Sequence, residues 1–472
     1  MSSNYSLSPQ EFTSAQLRSA YITAAFLSVF MTVFPAAALL GGGMYGLIVI
    51  GLAFAPCAFS QPKVGLWLSL ALIMIASLIA PPAGFEFGIG YSPELPYWAV
   101  ATCIVFAALL FRYFHVPASD VDRNASLPAS FRAFLAVVVF SGLLGIVRLY
   151  SVLNVAKQFY GCLLFCAYFL FAVRFANNER DISYVLDRAK KAGLVCALVY
   201  SVIYLYRVPT EGFRKELTIL SAYAGGLAVL YLPSLVNSRR MSERLRVAMP
   251  MLVLLTVPFF GQYKRAILAV VICGLLVIGL RSLSLRRRYL YTILAFLAFT
   301  AAIATNALNP IGAYFSKYES LKLLFPEDIQ SSYSVYLRLE ELRQMVDSLG
   351  GVPMFGTGMG STVTWYDPYS RAWVEQETMT TGWGYLIVKT GIVGTVIFIW
   401  FAVHTIRSSL ARPLTGLRLG LFLLFVFQLL QMVADPFFLH FMTSLWAGMT
   451  CGFLHITNAL SKRSEQIAWA SE

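Results

Sequence analysis

Four kinds of side chain in this sequence could do chemistry, and they cluster at the edges of apolar runs. Arg214-Lys215 and Lys264-Arg265 each stand just before such a run, and Arg338 lies in a long polar stretch between two of them. A guanidinium stays charged and its fork grips two oxygens at once, so these residues suit a diphosphate. The alternative is pairing with Glu211, Glu216 or lipid phosphates. Glu375 and Glu377 precede another apolar run, and Asp435 and His440 lie between the last two. Any of the four could take a proton from an attacking hydroxyl. Glu377 is favoured, because it is nearer the apolar run, where desolvation raises a carboxyl pKa. The alternative is that both glutamates are solvated loop charges. Trp365-Tyr366-Asp367-Pro368-Tyr369 with Trp373 suits either interfacial anchoring or a platform on which sugar rings stack. Gly356-Thr357-Gly358-Met359-Gly360 follows a helical pattern and not a strand, so it reads first as a tight turn and second as a backbone phosphate nest.

The elements that must position these residues are membrane spans. Of 472 residues, 58% are hydrophobic and only 12% charged, against roughly 25% charged in soluble domains. This composition excludes a soluble enzyme, a disordered chain and a secreted disulfide scaffold. It predicts an all-α, polytopic transmembrane helical bundle. Apolar runs near 20–40, 43–60, 64–82, 96–114, 133–150, 155–175, 192–207, 217–236, 247–262, 266–280, 289–306, 380–403, 419–434 and 441–458 give about fourteen spans, or about twelve if some are re-entrant. The polar N-terminal residues lead into a retained span and not a cleaved signal. All seven cysteines fall inside apolar runs, so no disulfide is expected. Cys162 and Cys166 share a helix face as packing residues, and no metal site is expected there.

Basic residues set the orientation. With the N-terminus inside, about 23 of the 36 Lys and Arg fall on cytoplasmic loops. Both termini are then cytoplasmic, and the net charge of +13 is mostly topology and attraction to anionic lipid, not nucleic-acid binding. The chain divides into residues 1–306 with eleven spans, a long extracytoplasmic loop at 307–379, and the last spans and tail at 380–472. Loops of that length are usually functional. Val335, Leu339, Leu342, Met345, Val346 and Leu349 recur at helical spacing within it, so the loop is partly helical and amphipathic, with Gly350-Gly351 and Pro353 as the stop. Every Asp and Glu lies outside the spans, and Lys389 is the one Lys or Arg well inside a span, the others standing near span ends. That argues against an ion-driven transporter, which needs such groups near the midplane. A lipid flippase stays open.

Three segments together resemble the O-antigen ligase and Wzy-type polysaccharide polymerase superfamily of bacterial membranes. The first is Phe213-Arg214-Lys215 before a span. The second is Gly261-Gln262-Tyr263-Lys264-Arg265-Ala266 at a span start. The third is a loop helix led by Arg338 that runs into Pro353, Phe355, Gly356, Gly358 and Gly360. Gly382-Trp383-Gly384-Tyr385-Leu386 with Gly391 and Gly394 follows in the order the family has. The resemblance covers roughly residues 205–400. Gly382 stands where ligases carry a histidine, and Lys389 where the family carries an acid, which favours the polymerase branch. The resemblance implies an inner-membrane enzyme that moves glycan from a polyprenyl diphosphate to an acceptor sugar at the outer face, without nucleotide, metal or other cofactor. It implies Arg214, Lys215, Lys264, Arg265, Arg338 and Tyr385 as substrate-binding residues, to which the aromatic segment adds Trp365. Glu377, Glu375, Asp435 and His440 are the candidate bases. The expected partners are the lipid-linked oligosaccharide, the acceptor glycan and membrane lipid, with a flippase and a chain-length regulator as fitting protein partners. A ligase to lipid A core or protein, and a flippase, are the alternatives.

The orientation is checked by cysteine labelling of intact cells. A cysteine at Ser331 is expected to react with an impermeant reagent, and one at Ser242 only after permeabilisation. Labelling of Ser242→Cys in sealed cells refutes the register.

Overall fold

Apolar runs with few charges leave backbone N–H and C=O groups no partner in lipid except the chain itself, so helix is the local solution. In the computed structural model the described residues are 52, 54–79, 97–115, 127–211, 218–260, 264–282, 285–304, 354–367, 372–376, 382–411, 414, 416–434 and 441–470. Helix accounts for 88% of them. Among the described residues five helical stretches are long and apolar enough to cross a membrane: Ala129–Val147, Asn154–Phe175, Leu220–Asn237, Gly382–Leu410 and Gly416–Val433. Each overlaps a span expected from the sequence. Helices also occupy the described parts of the runs at 192–207, 247–262, 266–280 and 289–306.

The chain forms two units. One comprises Met1–Leu72 and Pro93–Val116. In it the first part of α1 (Pro62–Ile79) meets α2 (Tyr97–His115) closely, for a Cβ added at Gly65 would lie 2.7 Å from Leu109. The second comprises Ile73–Ser92 and Pro117–Glu472. It holds α3 (Ala129–Val147), α4 (Val152–Phe175), α5 (Glu179–Glu211), α6 (Thr218–Val229), α7 (Leu232–Asn237), α8 (Met241–Phe260), α9 (Lys264–Ser282) and α10 (Leu285–Ala304). A hairpin of β1 (Val363–Asp367) and β2 (Ala372–Gln376) follows, then α11 (Gly382–Leu410), α12 (Gly416–Ala434) and α13 (Phe441–Ala470).

Within the second unit α12 is mostly apolar and enclosed; Leu421 through Phe427 are fully buried, and so are its polar Arg418, Gln428 and Gln431. Phenylalanines join α3, α4 and α11: Phe131 stacks on Phe169 at 3.9 Å, and Phe134 lies 5.4 Å from Phe398. Tyr223 of α6 stacks on Trp446 of α13 at 4.6 Å. The other faces of α3 and α11 carry exposed Val139, Phe140, Leu143 and Ile146, and exposed Ile392, Val396, Ile399 and Val403. Such apolar stripes at helical spacing are stable when a bilayer covers them.

Helices α13 and α4 approach closely for a simple reason. A Cβ added at Gly448 of α13 would lie 2.2 Å from the Phe165 carbonyl oxygen, and one at Gly452 would lie 2.7 Å from that of Phe169. Two glycines four apart let the backbones of α13 and α4 approach where lipid offers no hydrophobic drive for association. The helix ends alternate in register. Buried Arg418 donates to the carbonyls of Ser408 and Ser409 at 3.3 and 2.6 Å, which joins the start of α12 to the end of α11. At the opposite end of α12, Gln431 donates to the Arg265 carbonyl at 3.3 Å.

Two expectations need correction. The all-α reading missed the hairpin, whose signal was the alternation of β-branched and aromatic residues in Val363-Thr364-Trp365-Tyr366. The span at 380–403 is not continuous: α11 breaks at Gly391, where φ is 70° and ψ −171°. The amphipathic stretch at 332–349 lies outside the described residues.

Gly448→Ala is expected to lower stability by about 1–3 kcal/mol through overpacking. Gly274→Ala, with nothing within 4 Å of the added carbon, is expected to raise it by about 0.5–1 kcal/mol. Thermal melting of the detergent-solubilised protein checks both; equal midpoints contradict the packing.

Candidate functional site

Gly391 interrupts the hydrogen-bond ladder of α11 and frees the carbonyls before it. In an apolar interior each unmet group costs several kcal/mol. The glycine string supplies the missing donors. Thr357 N–H donates to the Val388 carbonyl at 2.7 Å, and Gly358 N–H to that of Lys389 at 3.2 Å. The Thr357 hydroxyl also reaches the Val388 carbonyl at 2.9 Å, and Ser141 Oγ of α3 donates to the Lys389 carbonyl at 2.7 Å. On the far side of the break Val393 N–H donates to the Met354 carbonyl at 3.1 Å. The loop is thus stitched into the gap in the helix.

Glycine is required for this seating. Gly358 has φ +83°, and a Cβ there would meet the Gly145 nitrogen at 2.8 Å. A Cβ on Gly145 of α3 would lie 1.9 Å from the Met359 carbonyl oxygen. The loop and α3 therefore touch backbone to backbone, with Met359 N–H donating to the Ser141 carbonyl at 3.0 Å.

A buried cation completes the anchor. Lys389 is fully buried. Its ammonium donates to the Ser361 carbonyl and, at 2.9 Å, to Ser361 Oγ, and lies 5.9 Å from the Tyr385 ring centroid. Burying an ammonium costs several kcal/mol, offset only where acceptors are well placed. Gln158 of α4 spans the same turn: its Oε1 accepts from Gly360 N–H at 2.6 Å and its Nε2 donates to the Ser361 carbonyl at 3.3 Å. The Tyr385 hydroxyl lies 3.4 Å from the Gln158 carbonyl oxygen and 3.7 Å from Met359 Sδ. Arg148, a basic residue on the end expected to face outward, donates to the Thr357 carbonyl at 3.2 Å. The amide N–H groups of residues 357–360 are all spent on protein acceptors, so the string is not a phosphate nest; it is a tight, buried anchor.

Two residues beyond Ser361 the chain enters the hairpin. Thr364 pairs with Glu375, Trp365 with Val374 and Tyr366 with Trp373. Tyr366 and Trp373 lie edge to face at 5.6 Å, and Trp373 is 70% exposed. Thr364 and Glu375 are exposed too.

The sequence-derived candidates are distributed as follows. Tyr385 belongs to the loop anchor, and Glu375 to the exposed hairpin. Trp365 is placed in β1 by its backbone, while the aromatic pair in contact is Tyr366 with Trp373. Lys264 and Arg265 open α9; Arg265 is half-buried and its carbonyl meets α12, not the helices that hold the loop. Glu377, Asp435, His440, Arg214, Lys215 and Arg338 lie outside the described residues. Ser141, Gln158 and Ser361 escaped the sequence reading; Gln158, a carboxamide inside an apolar run, was the available signal. The seven cysteines are free thiols. Among the described residues no group of three His, Cys, Asp or Glu could hold a metal ion. No protein-family model matches the chain, and no curated protein matches it.

Lys389→Met keeps the bulk and removes the donors. It is expected to cost about 1–3 kcal/mol by leaving a buried carbonyl short of a partner. Amide hydrogen exchange at Thr357, Gly358 and Gly360 is then expected to quicken; unchanged protection there contradicts the anchor.

Proposed function

We propose that this chain is a membrane polymerase of lipid-linked oligosaccharide repeat units, acting at the outer face of the bacterial inner membrane. The observation that carries the reading is the seating of the glycine string: the segment by which the chain resembles polysaccharide polymerases is built into the helices as a rigid support. That support ends in an exposed aromatic hairpin suited to sugar. Apolar stripes on α3 and α11 supply the membrane setting that a polyprenyl substrate needs.

In the proposed reaction a hydroxyl oxygen of the acceptor sugar attacks the anomeric carbon of the donor glycan. The bond from that carbon to the diphosphate oxygen breaks, and the polyprenyl diphosphate leaves with its electron pair. The hydroxyl proton passes to a base, for which Glu377 is the first choice and Glu375, Asp435 and His440 the others. Arg214, Lys215, Lys264, Arg265 and Arg338 would stabilise the charge gathering on the diphosphate. Arginine serves better than lysine because its fork matches two phosphate oxygens.

One observation favours a second reading. A helix broken at Gly391, with irregular backbone inside the bundle, is also how many transporters build a midplane substrate site. That reading makes the chain a lipid-linked oligosaccharide flippase.

A deletion strain separates them. Loss of the polymerase leaves single repeat units on polyprenyl diphosphate at the outer face, and loss of a flippase leaves them at the inner face. Complementation with Arg265→Ala or Glu377→Gln is expected to lower polymer by about 10²- to 10⁴-fold at normal protein level. Arg265→Lys is expected to restore it in part. A deletion strain that exports long polymer normally contradicts the polymerase reading.

A further inference from the structure

The hairpin offers an exposed face whose aromatic pair takes no part in the bond-making step above, although Glu375 beside it is one of the bases considered there. Thr364, Tyr366, Trp373 and Glu375 are exposed and form two cross-strand pairs, Tyr366 with Trp373 and Thr364 with Glu375. Along each strand the pairs are two residues apart, about 7 Å. One sugar ring lying on an aromatic side chain would therefore bring its hydroxyls within reach of the neighbouring hydroxyl and carboxylate. A pyranose has this dual character, with apolar C–H faces and a rim of donors and acceptors.

Resting on the glycan-transfer reading, we propose that the exposed face of the β1–β2 hairpin is a sugar-binding subsite. Tyr366 and Trp373 form its stacking surface, and Thr364 and Glu375 its hydrogen-bonding rim. Its occupant is a neutral stretch of glycan, away from the diphosphate end. The Glu375 carboxylate accepts from sugar hydroxyls and repels phosphate, which sets this face apart from the cationic residues assigned to the diphosphate. The same carboxylate argues against docking on a lipid surface, because a surface rich in anionic headgroups repels it. Stiffness favours binding as well. Val363 at the start of β1 is buried, and the residues before it are fastened to α3, α4 and α11 through Ser141, Gln158 and Lys389. A platform held in place loses little freedom when the ligand arrives.

The test uses the full chain in nanodiscs. The probe is the oligosaccharide released by mild acid from the lipid-linked pool of the host strain, with inorganic diphosphate as competitor. Saturation-transfer NMR and calorimetry read the binding. Trp373→Ala is expected to weaken the affinity about tenfold, and Trp373→Phe to stay within about threefold of the parent because a ring remains. Glu375→Gln is expected to weaken it by a smaller factor, and diphosphate not to compete. Wild-type affinity in both Trp373→Ala and Tyr366→Ser overturns the subsite, as does a parent protein that does not bind the probe. Nanodiscs of brominated lipid test the anchoring alternative: stronger quenching of the parent than of Trp373→Phe places Trp373 in lipid and overturns the subsite too. The two levels fail separately. Normal polymer in the deletion strain removes the polymerase reading, whereas undiminished binding by both Trp373→Ala and Tyr366→Ser removes only the subsite.

Discussion

Backbone carbonyls freed inside an apolar helix bundle must find donors, and that requirement organises the described part of this protein around Gly391. The break in α11 releases the carbonyls of Val388 and Lys389. The glycine string answers with amides from Thr357 and Gly358, and α3 with the Ser141 hydroxyl. Because the donors come from a loop and not from the next turn of helix, satisfying the break also fixes the loop. Lys389, Gln158 and Arg148 then act on the same few residues, so three helices and one loop share a single hydrogen-bonded junction. Such networks are worth most when every member is satisfied and become costly when one is lost.

The consequence for function is positional. A hairpin two residues beyond the junction inherits its rigidity, and its exposed aromatic pair is held at the end of the bundle where α3 finishes and α4 and α11 begin. In the proposed polymerase this arrangement would serve as a membrane body for the polyprenyl chains and a fixed surface for the sugars. The buried lysine serves the frame. Its ammonium is directed at Ser361, which explains why a cation is tolerated where the chain is otherwise apolar.

Much of the frame was legible in the sequence. Uncharged runs such as 266–280 and 419–434 have one stable outcome in lipid, and both are helices. The hairpin was legible only as aromatic content, because five-residue strands give a weak alternation. The break at Gly391 was hidden for a different reason. Glycine is common in membrane helices, and its positive φ is imposed by a loop more than thirty residues earlier, which no local pattern reports. The role of the glycine string was half legible: a tight turn was foreseen, but its partners on α3, α4 and α11 are separated from it by the fold. Arg148 stands at the end of a span expected to face outward, where a basic residue is disfavoured, and its bond to Thr357 gives it a place there.

Reconstitution measures the proposed function most directly. Purified protein in liposomes would be supplied with polyprenyl-diphosphate oligosaccharide carrying a radiolabelled glycan. A polymerase yields glycans of two or more repeat units and releases one polyprenyl diphosphate for each bond formed, with no nucleotide or metal added. Labelled lipid that crosses the bilayer while its glycan stays one repeat long contradicts polymerase activity and identifies a flippase instead.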